Sequence, residues 1–126
     1  MPPSPDLLRT SRFLWAAFAQ TTLVFCFLTV YLEPPEGPIE IGKFAGLMLA
    51  PNALFSVLVA RLTRLPIPRS TRIILAFALS ESVALGGFIA HWNGATAIYI
   101  YAPIALSFLA HLANFPTASL LESGDA

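Results

Sequence analysis

Charge is what this chain has least of. Of its 126 residues only 7 are Lys or Arg and 7 are Asp or Glu, 11% in all, against about 25% in an ordinary soluble domain. That shortage argues against a water-soluble globule, and a formal net charge of zero leaves no basic face for nucleic acid. Cysteine is nearly missing too: Cys26 stands alone, so no disulfide framework is possible. Bulky Val24 and Phe25 in front of it do not suit lipoprotein processing, and a lone thiol at membrane depth reads as packing. No CxxC, HExxH, GxSxG, phosphate-cradling loop or paired-carboxylate motif occurs, which argues against an enzyme and implies no metal and no cofactor. Internal repeats are absent as well.

What is present is apolar length. Residues from AVILMFWYC make up 56% of the chain, and mean hydropathy is +0.72. Four segments approach the roughly 17 to 25 apolar residues that cross about 30 Å of hydrocarbon: Phe13 to Leu32, Gly42 to Val59, Ile73 to Ala90 and Ala95 to Ala113. Prolines 34, 35 and 38 break the first from the second, and Arg61 to Arg72, with Pro66 and Pro68, separates the second from the third. His91-Trp92-Asn93-Gly94 is so short a turn that the third and fourth spans must be antiparallel neighbours. The expected fold is an all-α, polytopic membrane protein: one domain over residues 1–126 with four transmembrane helices in an antiparallel bundle.

Orientation follows from the basic residues. Arg9, Arg12, Arg61, Arg64, Arg69 and Arg72 share one face and only Lys43 lies on the other, so both termini are expected in the cytoplasm of a multi-pass protein of the bacterial inner membrane. The first span is too long for a signal peptide and no small-x-small site follows it. The Pro-rich start, Met1 to Pro5, and the polar end, Leu121 to Ala126, are expected to fray. The default role of Arg61, Arg64, Arg69 and Arg72 is attraction of anionic lipid headgroups.

Helices in lipid associate through close backbone approach. The second span offers Gly42, Gly46, Ala50 and Ala53, and the third offers Ala76, Ser80, Ala84 and Gly87, which predicts a tight hairpin between them. Pro51 is expected to bend the second span and Pro103 the fourth. Trp15, Trp92, Tyr31, Tyr99 and Tyr101 are placed as an interfacial belt.

One residue within the spans carries chemistry. Glu81 is the only charged side chain deep within them, close to the bilayer midplane by helical rise, whereas Lys43 stands at the very start of the second span. A carboxylate at that depth is expected to be protonated, held by hydrogen-bond donors or turned to a wet cavity, and its default reading is functional. Depth counting places Gln20 (with Thr21 and Thr22), Asn52 and Ser107 in the same layer, with Ser80 and Ser82 flanking the acid. The layer serves either as a structural hydrogen-bond clasp or as a proton- or cation-exchanging site. His91 and His111 fall near opposite ends of their spans, about 20 Å or more apart by rise. They cannot share one haem iron, although either alone suits a chlorophyll-type pigment.

Ala76 to Ala90, AFALSESVALGGFIA, resembles the carboxylate helix of the proteolipid c subunit of rotary ATPases, in which small residues surround a mid-membrane acid and a glycine follows. Gly42 and Gly46, then Arg64-Leu65-Pro66, then Glu81 follow the order and orientation of that family. The resemblance implies that Glu81 matches the ion-carrying carboxylate, and Arg64 and Pro66 the cytoplasmic loop. The sequence departs from the family in Phe44, Met48, Pro51 and Phe55, which replace the dense glycine stripe, and in two extra spans. Over its whole length it is similar to small four-span bacterial inner-membrane proteins. The expected role is an accessory subunit that assembles with itself or with other membrane subunits through the layer around Glu81. Proton or cation translocation is the alternative, and a pigment- or quinone-associated subunit of a photosynthetic or respiratory complex is a third.

Overall fold

Ser4 starts the first helix. In the computed structural model, which describes residues 2–62 and 64–122, its Oγ accepts from the Leu7 amide at 3.1 Å, Pro5 fills the first helical turn and Asp6 adds charge that favours a helix N-terminus. Helix α1 therefore spans Pro5–Tyr31 and takes in Pro5, the last residue of the stretch expected to fray. A 3-10 turn, Glu40–Phe44, leads into α2, Ala45–Leu49, and α3, Pro51–Arg61. Pro51 marks the joint between α2 and α3, where the missing amide interrupts the helical ladder. Helix α4 is Arg69–Trp92 and α5 is Ala97–Ala113, with Pro103 inside it. A last turn, α6, is Ala118–Glu122.

Three stretches are long and apolar enough to cross a membrane, Pro5–Tyr31, Glu40–Arg61 and Arg69–Trp92, and α5 is a shorter apolar helix. All regular structure among the described residues is helical. The interior mixes large apolar residues, Phe77, Val83, Ile104 and Leu121, with small and hydroxyl ones such as Thr22, Ser56, Ala76, Ser80, Ala84 and Ser107, while Phe13, Phe27, Leu54, Met48 and Leu109 are exposed. That distribution is compatible with a helical membrane bundle, whose outer solvent is as apolar as its side chains.

Helix α4 is the axis, touching α1, α2, α3 and α5. Two adjacent glycines let it do so. An added Cβ on Gly86 would lie 2.9 Å from the Ala45 carbonyl and from the Gly46 Cα, whereas one on Gly87 would lie 2.5 Å from the Ile100 carbonyl on α5. The expected stripe is thus divided: Gly86 faces α2, while Gly87 serves α5. Gly46 abuts Pro103 and the Tyr99 carbonyl, so it too packs on α5, and Gly42 lies against Asn93. Ala84 is fully buried, and Ala50 is half-buried at the α2–α3 joint.

Helix α5 stops early. At about 1.5 Å per residue its 17 residues reach only some 25 Å. The chain then turns through Asn114–Thr117 into α6, whose Leu121 is fully buried with Ile73 and Phe77. Leu121 and Glu122 are therefore ordered helix rather than a frayed end, while residues 123–126 lie outside the described residues. Carbonyls left free at the break are taken by side chains of other helices. Trp15 Nε1 donates to His111 O at 2.7 Å, Arg61 Nη2 to Ala113 O at 2.7 Å, and Arg12 Nε to Pro116 O at 3.2 Å. A non-helical segment at membrane depth requires such partners.

Candidate functional site

Glu81 lies near the middle of the 24-residue α4 with 14% of its side chain exposed. Thr22 Oγ1 donates to its Oε2 at 2.9 Å, and His111 Nε2 stands 3.4 Å from the same oxygen. His111 is 1% exposed. Glu81 Oε1 and both ring nitrogens of His111 are buried without a hydrogen-bond partner among the described residues, so the 3.4 Å approach of Nε2 is a close contact and not a hydrogen bond. An acid and an imidazole thus face each other inside the bundle, and the Thr22 hydroxyl holds the acid alone.

The hydroxyl belongs to a longer chain of contacts. Thr22 Oγ1 is 3.2 Å from Ser107 Oγ, and Ser107 donates at 2.7 Å to the carbonyl of Ser80, the residue before Glu81. On the cytoplasm-facing side expected from sequence, Asn114 Nδ2 reaches Ser56 Oγ at 3.0 Å and Ser80 Oγ at 3.3 Å, while Arg61 Nη1 donates to Asn114 Oδ1 at 3.3 Å. Asn52 lies on another side of α4 and donates to Ser82 Oγ at 2.9 Å.

Of the residues expected in the layer, Ser80 and Ser107 join Glu81, Asn52 joins its neighbour Ser82, and Gln20 does not join. Gln20 is exposed, because it and Thr22 are about 200° apart on a helix and only one can turn inward. The packing face of α1 runs Ser11, Trp15, Phe18, Thr22, Cys26 and Thr29, at steps of four, three, four, four and three. That period was available in the sequence and selects Thr22.

His111 was read from sequence only as a pigment ligand, and its place beside Glu81 was missed. It follows Ile100, Ile104 and Ser107 on the buried stripe of α5, and Ser107 and His111 are one turn apart. Depth counting placed it near a membrane surface, whereas the end of α5, at Ala113 as expected, packs beside the middle of α4. His91 has a separate role, its Nε2 lying 2.6 Å from the Leu32 carbonyl at the end of α1.

The loop arginines do not share one environment. Arg61 is spent on the break after α5, and Arg72, 3% exposed, donates from Nη1 to the Leu62 carbonyl at 2.5 Å. Arg69 Nη2 lies 3.5 Å from the Glu122 carbonyl, and Arg64 is exposed. Headgroup attraction therefore fits Arg64 best, while Arg61 and Arg72 cap backbone. Among the described residues no three His, Cys, Asp or Glu side chains converge as metal ligands. Comparison of the chain with family models, curated proteins and solved structures finds no match.

Proposed function

We propose that this chain is a multi-pass protein of a bacterial inner membrane, with both termini cytoplasmic, in which Glu81 and His111 bind and release a proton. The observation that carries the reading is the 3.4 Å approach of two titratable side chains, one of them 1% exposed, inside an apolar bundle. Ionisable groups at membrane depth are costly and characteristically mark functional sites. Glu81 Oε1 and both His111 ring nitrogens are buried without a hydrogen-bond partner, so no other bond within the chain commits them. The likeness of residues 76–90 to the c-subunit carboxylate helix supports the same chemistry, and His111 is an addition that the likeness does not supply.

The test is reconstitution in liposomes. A hydrophobic carbodiimide is expected to label Glu81, increasingly so in acidic buffer, and proton flux is expected to fall in Glu81→Gln and in His111→Leu. Proteins that keep their helical spectrum, yet show neither labelling nor a loss of flux, would falsify it. Orientation is checked in a Cys26→Ala background: cysteines placed at Glu36 and Arg64 are expected to react from opposite sides of the membrane.

A second reading has its own support. Asn114, Ser56, Ser80 and Arg61 form a clasp that joins α3, α4 and α5 and spends its donors within the chain. On that reading the chain is a small accessory subunit. Its exposed apolar faces, including Phe13, Phe27 and Phe55, then meet other membrane subunits, a second copy or the lipid bilayer. Intact proton flux in Glu81→Gln, together with an unchanged set of co-purifying membrane proteins, favours this role.

A further inference from the structure

The face of α1 turned away from the bundle reads Phe13, Ala17, Gln20, Val24, Phe27 and Tyr31, at steps of four, three, four, three and four, and all six are exposed. The face opposite, with Ser11, Thr22 and Thr29, is buried. Steps of four and three in unbroken alternation are the seam of parallel helices in a left-handed supercoil. Gln20 is the residue of this stripe that lipid does not suit. It lies about 10 Å inside the apolar stretch that begins at Phe13, at about 1.5 Å per residue, and its carboxamide makes no hydrogen bond among the described residues. Thr21, its exposed neighbour, spends its hydroxyl on the Ala17 carbonyl at 3.1 Å. The outer surface of α3 and α5 is apolar by contrast, as at Leu54, Phe55 and Leu109. A donor and an acceptor left among acyl chains are costly, and the chains supply no partner for either. Toward the N-terminus the same face carries charge: Asp6 and Arg9 line a concavity of about 380 Å³ with Thr10 and Phe13. Both are exposed, and neither forms an ion pair among the described residues.

We infer that α1 docks against α1 of a second copy of this chain, the two helices parallel about a twofold axis normal to the membrane. Copies inserted the same way hold every residue at the same depth, so the axis brings Gln20 against Gln20 of the second copy. A carboxamide donates through its nitrogen and accepts through its oxygen, and two of them close a reciprocal pair of hydrogen bonds. The same symmetry sets Asp6 of each copy beside Arg9 of the other, an opposite-charge pair made twice. One polar layer in an otherwise apolar seam also fixes its register, because a slip parts the amides. A different membrane protein would need its own amide at this depth and its own acid and base to match; a second copy has them by construction. The inference deepens the accessory-subunit reading by naming the partner. It is independent of proton exchange, since Glu81 meets α1 on the Thr22 side.

The test uses the full chain in phosphatidylcholine vesicles, with Cys26→Ala removing the native thiol. Energy transfer between copies labelled at Arg64→Cys with donor or acceptor dyes is expected to saturate as protein density rises. Its affinity is expected to weaken about tenfold in Gln20→Leu, the loss of a reciprocal pair of interhelical hydrogen bonds, and to recover largely in Gln20→Asn. Asp6→Arg is expected to weaken it, and Asp6→Arg combined with Arg9→Asp to restore it. Gln20 is exposed and bonds to nothing in its own chain, so its variants leave the bundle intact. Oxidation with copper phenanthroline is expected to link copies carrying Val24→Cys but not copies carrying Leu109→Cys on α5. Transfer that rises linearly with density is random collision and overturns the inference. Saturable transfer of unchanged affinity in Gln20→Leu, a double charge swap that restores nothing, or linking at Leu109→Cys as fast as at Val24→Cys overturns it too. Saturable, Gln20-dependent transfer in a chain whose Glu81→Gln variant loses proton flux keeps the dimer and removes the accessory-subunit reading. Other membrane proteins co-purifying with a chain that shows only collisional transfer do the reverse.

Discussion

The hydroxyls of Thr22 and Ser107 lie 3.2 Å apart, and whether a hydrogen sits between them depends on Glu81. Ser107 donates its hydrogen to the Ser80 carbonyl, which has none to give. Thr22 has a single hydrogen for two neighbours, Glu81 Oε2 at 2.9 Å and Ser107 Oγ at 3.2 Å. When Glu81 is ionised, that hydrogen goes to the carboxylate and the Thr22–Ser107 contact has none. When Glu81 carries a proton, the carboxyl donates to Thr22, Thr22 to Ser107 and Ser107 to Ser80, so every contact is made. Arrival of a proton thus completes a link between α1, α4 and α5.

Glu81→Gln imitates the protonated state permanently, because its amide donates where the carboxyl would. The variant is expected to gain about 0.5 to 1 kcal/mol of resistance to unfolding in detergent, in the range of interhelical hydrogen bonds in membranes. Denaturant titration of purified protein in mild micelles reads the gain. A variant no more resistant than the parent contradicts the hydrogen count.

Arg61 ties the end of α5 to α3 through Ala113 O and Asn114 Oδ1. Its removal should cost about 1 to 2 kcal/mol, the scale of hydrogen bonds from a charged donor. Arg61→Lys should recover only part, since an ammonium does not span two acceptors as a planar fork does. Arg64→Gln, at an exposed loop position, should stay within about 0.5 kcal/mol of the parent. Equal losses for Arg61→Gln and Arg64→Gln in the same unfolding assay would mean that headgroup attraction, not capping, is the common role.

Asn114 is 1% exposed and its amide nitrogen is shared between Ser56 and Ser80. Asn114→Leu removes that donor together with the acceptor used by Arg61, and it places bulk in a small-residue layer. A loss of about 2 kcal/mol or more is expected. Limited proteolysis should then cut first at the 114–117 break, which loses its anchor. Protection unchanged from the parent would show that Trp15 and Arg12 suffice to hold the turn.

Most of the fold was legible in apolar length and proline-broken loops, which set the helices and place Glu81 near the middle of α4. Two features of the site were not. Gln20 and Thr22 are at nearly the same depth, so depth alone did not separate them; the facing residue is set by angle around α1, carried by the Ser11–Trp15–Thr22–Thr29 period. His111 was misplaced although the end of α5 at Ala113 was read correctly, because counting along one helix gives no sign of how far that helix is shifted against α4. The shift shows only in tertiary contacts, where carbonyls at the Asn114–Pro116 break find donors as distant in sequence as Arg12, Trp15 and Arg61.

Gly86 and Gly87 separate two kinds of helix contact, which makes them a test of the packing itself. At Gly87 an added methyl would meet the Ile100 carbonyl at 2.5 Å and Ile104 Cγ1 at 2.9 Å, and backbone cannot move aside as a side chain does. At Gly86 it would meet the Ala45 carbonyl and the Gly46 backbone, both at 2.9 Å, beside the α2–α3 joint at Pro51. Gly87→Ala is therefore expected to force α5 away from α4 and to cost about 1 to 3 kcal/mol, as overpacking does. Because α5 carries His111 and Ser107, the same displacement should separate His111 from Glu81 and reduce carbodiimide labelling or proton flux. Gly86→Ala should also destabilise the fold, but leave α5 and the Glu81–His111 distance nearly unchanged. Cysteine cross-linking between α4 and α5 distinguishes the two, being slowed by Gly87→Ala alone; equal slowing in both variants would show that α2, α4 and α5 move as one unit.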